Sequence, residues 1–84
     1  MTVIKLPSYL RAVASLPREI QILATHQEAR FQQNLFDPRL HMKKLKGLDD
    51  YSIRVTRNYR ILLNFRDANT AIWYDIDHRK DVYR

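Results

Sequence analysis

The chain has 84 residues, 15 Lys and Arg against 9 Asp and Glu, a net charge of +6 and no cysteine. That length suits one domain, residues 1–84, with a modest core, and the missing cysteines exclude a disulfide framework and any thiolate metal site. No apolar run approaches the roughly 20 residues of a membrane span, and residues 1–7 are too short and too polar for a signal peptide, so a reducing cytoplasm is the expected setting. The positive balance favours an anionic partner: nucleic acid, an acidic protein or a membrane surface.

Residues 2–6 read as a short strand, and Pro7 suits the first position of a helix that carries Leu10, Val13 and Ala14 at helical spacing. Ser15 is placed to cap a second helix with Pro17 in its first turn. Ile20, Leu23, Ala24, Phe31 and Leu35 form its apolar stripe, which fades before Asp37-Pro38. Both glutamates, Glu19 and Glu28, lie in this half, and every acid from Asp37 onward is an aspartate. Glutamate suits helix interiors and aspartate suits turns, so helices come first and turn-linked strands follow. Residues 41–48 are a basic connector carrying Lys43, Lys44 and Lys46, with Leu45 and Leu48 to pin it down. Those lysines serve equally as a solvated loop or as contacts to a nucleic-acid backbone.

Residues 51–56 and 59–65 alternate apolar and polar. Tyr51, Ile53 and Val55 share one face of the first strand, and Tyr59, Ile61, Leu63 and Phe65 one face of the second. For these faces to coincide, the connecting loop has three residues, Thr56-Arg57-Asn58, with Asn58 in the left-handed position of a turn plus bulge. That register sets Arg54 directly opposite Arg60 on the other face. Like charges so placed are destabilising, and such a local conflict is a place to look for function. One reading is a solvated pair, offset by Asp75; the other is a phosphate clamp, since guanidinium donors match phosphate oxygens.

The next strand, 71–76, puts Ile72, Tyr74 and Ile76 in the core if residues 67–70 form a four-residue loop. Trp73 then points to the arginine side. The expected architecture is α+β: an N-terminal strand and a two-helix hairpin on an antiparallel sheet of about four strands, with one open face. His78, Arg79 and Lys80 follow the last strand and lie beside that face if the chain turns there. Tyr83 either anchors the tail or offers a surface on which a nucleobase stacks. The histidines lack metal-ligand spacing, and there is no Gly-rich phosphate loop, nucleophile elbow or carboxylate pair placed for acid–base work.

The order strand, helical hairpin, three-stranded meander, with Leu45-Lys46-Gly47-Leu48, Tyr51-Ser52-Ile53-Arg54-Val55, Asn58-Tyr59-Arg60-Ile61 and His78-Arg79-Lys80-Asp81-Val82-Tyr83-Arg84, resembles the RelE/ParE toxins of type II toxin–antitoxin modules. The resemblance covers essentially the whole chain and favours the RelE branch, whose members cut mRNA in the ribosomal A site. It implies a metal-independent, cofactor-free endoribonuclease with a cognate antitoxin, the ribosome and mRNA as partners. Arg54 stands where that branch carries a lysine proposed as general base, Arg60 matches the arginine on the scissile phosphate, Arg79 the general acid, and Tyr83 the tyrosine that stacks on a base. Ser52 stands where the branch has a further basic residue. The ParE branch, which shares the scaffold and inhibits DNA gyrase, is the alternative, and a degenerate toxin that only binds its antitoxin is a third.

Overall fold

The computed structural model describes residues 1–46 and 49–78. Strand β1 (Thr2–Lys5) leads into helix α1 (Pro7–Ala14) and helix α2 (Arg18–Gln33). A 3-10 turn (Pro38–Leu40) and a two-residue strand β2 (Lys43–Lys44) follow, then β3 (Tyr51–Arg54), β4 (Tyr59–Asp67) and β5 (Thr70–His78). The strands form one mixed sheet in the order β1-β5-β4-β3-β2. The three C-terminal strands are the expected antiparallel meander, and β1 joins the sheet as expected, beside β5 and parallel to it. The connector holds the unanticipated fifth strand: Lys43 pairs with Ser52 and Lys44 with Tyr51.

Pro7 opens α1. Ser15 does not cap α2; its hydroxyl donates to the Ala12 carbonyl at 2.8 Å, closing α1 instead, and Pro17 precedes α2 with no side-chain cap. Ala24 and Phe31 of the α2 stripe are buried, whereas Leu23 is 38% exposed, at the margin of the helix face that meets the sheet. Ile53, Ile61, Leu63, Ala71, Trp73 and Ile76 complete the core from the sheet.

The β3–β4 register is the one the alternation demands: Ile53 faces Ile61 and Arg54 faces Arg60. Its loop closes differently. Asn58 is not left-handed, since His41 alone has a positive φ among the described non-glycine residues. The Thr56 hydroxyl instead accepts from the Asn58 and Tyr59 amides at 3.1 and 3.2 Å, a side-chain-stabilised turn.

The β4–β5 pair departs further. Its turn has two residues, 68 and 69, with Asp67 opposite Thr70, and the register shifts twice, leaving Arg66 and Tyr74 without cross-strand partners. The shift at Tyr74 reverses half the assignment made from alternation: Trp73 is fully buried and Ile72 and Tyr74 lie on the opposite face. The cause is aromatic packing. The Trp73 ring meets Tyr9 and Phe31 edge-to-face, each at 5.6 Å between centroids, and Phe31 stacks on Phe65 at 6.3 Å. Trp73 and Ile76 both belong to the core. Three positions apart, they cannot share a face of a regular strand, and one extra residue between them reconciles the two. The bulge is anchored from outside the sheet: the Ser8 hydroxyl donates to the Tyr74 carbonyl at 2.6 Å, and the Leu6 amide to the Trp73 carbonyl at 3.0 Å.

Phe31 takes part in two of the three aromatic contacts just described, those with Trp73 and Phe65. Phe31→Ala is expected to lower the free energy of unfolding by about 3–5 kcal/mol in urea denaturation, and Leu23→Ala by under about 1 kcal/mol. Equal losses at the two positions would contradict this placement of the core.

Candidate functional site

The sheet face away from the helices gathers the polar groups singled out in the sequence. Cross-strand register puts Arg54, Arg60 and Asp77 in one row, and Lys43, Ser52, Leu62 and Asp75 in the next. Residues directly opposite have Cβ atoms about 4.5–5.5 Å apart, and diagonal neighbours about 7–8 Å. Two guanidinium groups and two carboxylates therefore occupy one patch.

The patch is less open than alternation alone suggests. Ser52 is fully buried, Arg60 is 1% exposed, and Arg54 is half-buried. Arg60 Nη1 donates to the His41 carbonyl at 3.3 Å. That carbonyl is aimed by a local device. Asp37 accepts from the Arg39 amide at 2.9 Å and holds the Arg39 guanidinium through both oxygens, at 3.1 and 2.8 Å. The hydrogen bonds from Arg39 keep the Asp37 carboxyl down at about 2. The 3-10 turn this pair braces ends at His41, whose φ of 45° is left-handed.

Gln27, to which the sequence assigned no role, ties α2 to the same region. Its buried amide nitrogen donates to the Arg39 carbonyl at 3.0 Å and the Arg54 carbonyl at 2.5 Å, and its oxygen accepts from Arg30 at 2.8 Å. The end of β3 is thus fixed to the helix layer from below. The Ser52 hydroxyl and Arg54 Nε have no hydrogen-bond partner among the described residues. A buried guanidinium nitrogen in that condition costs free energy and is ready to donate to an incoming acceptor.

The other expected contacts separate. Lys43 falls on the Arg54 face by its pairing with Ser52, whereas Lys44 pairs with Tyr51 on the helix side and lies 3.8 Å from Asp49. Lys46 is exposed in the turn after β2, and Leu45 beside it is buried with its amide donating to Asp50 at 2.8 Å. His78 does not join the arginine face: it sits opposite Tyr59, with the two rings edge-to-face at 5.6 Å. Arg79, Lys80 and Tyr83 lie outside the described residues, as does Leu48. Among the described residues no three His, Asp or Glu side chains converge as a metal site, and no helix is long and apolar enough to cross a membrane.

Two acids that sequence reading gave to turns or to charge balance have defined places. Asp50 accepts from the Tyr74 hydroxyl at 2.6 Å, and burial together with that carboxylate pushes the phenol up. Asp75 accepts from the Ile76 amide through Oδ1 at 2.9 Å and forms no ion pair among the described residues. Desolvation, helped by the neighbouring charge of Asp77, pushes its carboxyl above the ordinary 3.8. Only the bulge at Tyr74, unseen in the sequence, parts Asp75 from Trp73 and leaves it on the arginine face.

No family model matches the sequence, and no curated protein does. Among solved structures, a chain of the RelB–RelE antitoxin–toxin complex of Methanococcus jannaschii is similar at TM-score 0.77 and 24% identity, covering 95% of this chain and 94% of the other. A chain of the RelBE2 toxin–antitoxin complex of Mycobacterium tuberculosis is similar at TM-score 0.75 and 23% identity, over 93% and 96%. A YoeB/ParE toxin from Agrobacterium tumefaciens is similar at TM-score 0.76 and 11% identity, over 94% and 99%. The chain shares its fold with these solved structures.

Because the folded state holds the Asp75 proton more tightly than the unfolded chain does, ionising this carboxyl is a cost to the fold. The cost is absent below the unfolded value near 3.8 and fully present once pH has risen through the higher folded value. Asp75→Asn is expected to raise the melting temperature at pH 7, and the gain should fade as pH falls toward 3.8 in a thermal-unfolding series. A lower melting temperature for the variant at pH 7 would contradict the assignment.

Proposed function

We propose that this chain is the toxin of a type II toxin–antitoxin pair and stops translation as a ribosome-dependent mRNA endoribonuclease in the cytoplasm. The observation that carries the reading is the pairing of Arg54 with Arg60 across β3 and β4. A small fold gains nothing in stability from two guanidinium groups face to face, whereas a phosphate between them receives donors from both sides.

The reaction is attack of a ribose 2′-hydroxyl, its proton passing to water, on the adjacent phosphorus, which expels the 5′-oxygen and leaves a 2′,3′-cyclic phosphate. Arg54 and Arg60 stabilise the charge that builds on the non-bridging oxygens, a contribution of about 10²–10³ in rate per donor in comparable sites. Arg79 supplies the proton to the departing 5′-oxygen, and Tyr83 stacks on a base beside the cut. Lys43 contacts the RNA backbone on the arginine face, and Lys46 and Lys80 provide further contacts around it. No metal or cofactor takes part. Positioning and charge stabilisation do the chemistry.

The antitoxin partner fits a second region. Phe36 is 83% exposed beside a cleft of about 500 Å³ lined by Leu35, Met42, Tyr51 and Phe65, with Lys44 on its rim. An amphipathic segment carrying acidic residues is complementary to that cleft.

One observation favours a second reading. An arginine that is 1% exposed does not meet RNA without some rearrangement, and the same scaffold serves ParE-type inhibition of DNA gyrase or antitoxin binding alone. The expected result in a reconstituted translation system is mRNA cut at codon positions only when ribosomes are present, with gyrase supercoiling unaffected. Arg54→Ala should slow cutting by about 10²–10³. Intact mRNA together with loss of supercoiling would establish the second reading.

A further inference from the structure

A guanidinium is a rigid planar fork, so holding one of its nitrogens sets the plane in which all its donors lie. For Arg60, nearly buried under the arginine face, that plane decides which donors meet a phosphate. Its Nη1 donates to the His41 carbonyl at 3.3 Å.

Resting on the nuclease reading, we propose that His41 is a positioning residue of this site. It acts through its left-handed backbone and not through its imidazole: the turned carbonyl holds the Arg60 guanidinium in the orientation that meets the scissile phosphate.

Three observations carry this. First, the conformation is singular. His41 has φ 45° and ψ 47°, the one positive φ among the described non-glycine residues. The left-handed region is unfavourable for a residue with a Cβ, and such a residue stays there where its surroundings over-determine it. Second, they do so here. Ahead of His41, the Leu40 amide donates to the Asp37 carbonyl at 3.0 Å and the His41 amide to the Pro38 carbonyl at 3.1 Å. Leu40 is fully buried, and Gln27 holds the Arg39 carbonyl at 3.0 Å. Beyond His41, Met42 packs against the core and Lys43 pairs with Ser52. Two fixed pieces of chain therefore meet at His41, and the left-handed step joins them. Third, the His41 side chain is exposed, whereas its carbonyl meets a buried arginine 19 residues further along the chain. What the fold secures is the direction of the backbone.

A left-handed residue commonly closes a helical turn, and capping the 3-10 turn accounts for the φ alone. It does not account for where the carbonyl points. The choice of a carbonyl also suits the chemistry. A neutral acceptor orients a guanidinium without cancelling its charge, as a carboxylate in the same place would. Donors set before the reaction meet the charge on the non-bridging oxygens with no reorganisation at the moment it builds. Asp77 is the rival for this role. It stands opposite Arg60 in the β4–β5 register, with its Oδ1 accepting from the His78 amide at 2.7 Å.

Substitution at position 41 separates backbone from side chain. Glycine and asparagine tolerate the left-handed region, and valine does not. The experiment measures kcat and KM for cleavage of ribosome-bound mRNA by the full chain, by His41→Gly, by His41→Asn and by His41→Val. Circular dichroism at the assay temperature confirms that the chains compared are folded. His41→Gly and His41→Asn are expected to keep a kcat near that of the unaltered protein. His41→Val is expected to lose about 10²-fold in kcat with KM little changed, the size of effect that follows misplacement of a catalytic group by about 1 Å. Should His41→Val not fold, Asp37→Ala, which releases the turn that ends at His41, is expected to lower kcat in the same direction at unchanged KM.

Two results would overturn the proposal and leave the nuclease reading intact. If folded His41→Val, or Asp37→Ala in its place, keeps the full kcat, then Asp77 or another group orients Arg60. If His41→Gly is as slow as His41→Val, the imidazole is what matters. Failure of the unaltered protein to cut would remove the nuclease reading and the proposal with it.

Discussion

The bulge at Tyr74 is the constraint on which the remainder of the molecule depends. Trp73 must reach Tyr9 and Phe31 to fill the space between sheet and helices, and Ile76 must reach the same core beside Ile61. One extra residue between them satisfies both. The cost is a carbonyl outside the ladder, and the start of α1 meets it with the Ser8 hydroxyl. The same residue decides what the far face displays, because it separates Asp75 from the tryptophan. Core packing and the chemistry of the patch are thus two outcomes of a single backbone irregularity.

Most of the fold was legible before any coordinates. Pro7, the i, i+3, i+4 stripe and the two alternating segments gave the elements in order, and the parity of Tyr51 to Val55 against Tyr59 to Phe65 gave the Arg54–Arg60 register. What escaped were features local alternation cannot carry. Ile72-Tyr74-Ile76 is the better apolar alternation, and only the aromatic residues of two distant helices reveal that Trp73 outcompetes it. The short β2 escaped because residues 43 and 44 are both lysines, a composition that reads as a solvated loop. Arg60 read as exposed because charge normally implies solvent, whereas here a carbonyl turned by left-handed His41 helps to hold it.

The patch also shows why the sequence conveyed binding more clearly than catalysis. Arginines announce an anion by type alone. The character of a carboxyl is defined by its surroundings: its face and its desolvation. Asp75 takes its face from the bulge and its raised carboxyl from burial, and in the sequence it is one more aspartate near a turn.

The central claim is that this chain cuts RNA through the 2′-oxygen next to the phosphate held by Arg54 and Arg60. It is tested most directly by the ends of the fragments released from ribosome-bound mRNA. The account requires a 2′,3′-cyclic phosphate on one fragment and a 5′-hydroxyl on the other, with no cutting when the nucleotide before the cut carries a 2′-deoxyribose. Fragments bearing 5′-phosphates, or cutting that survives the deoxyribose, would contradict it.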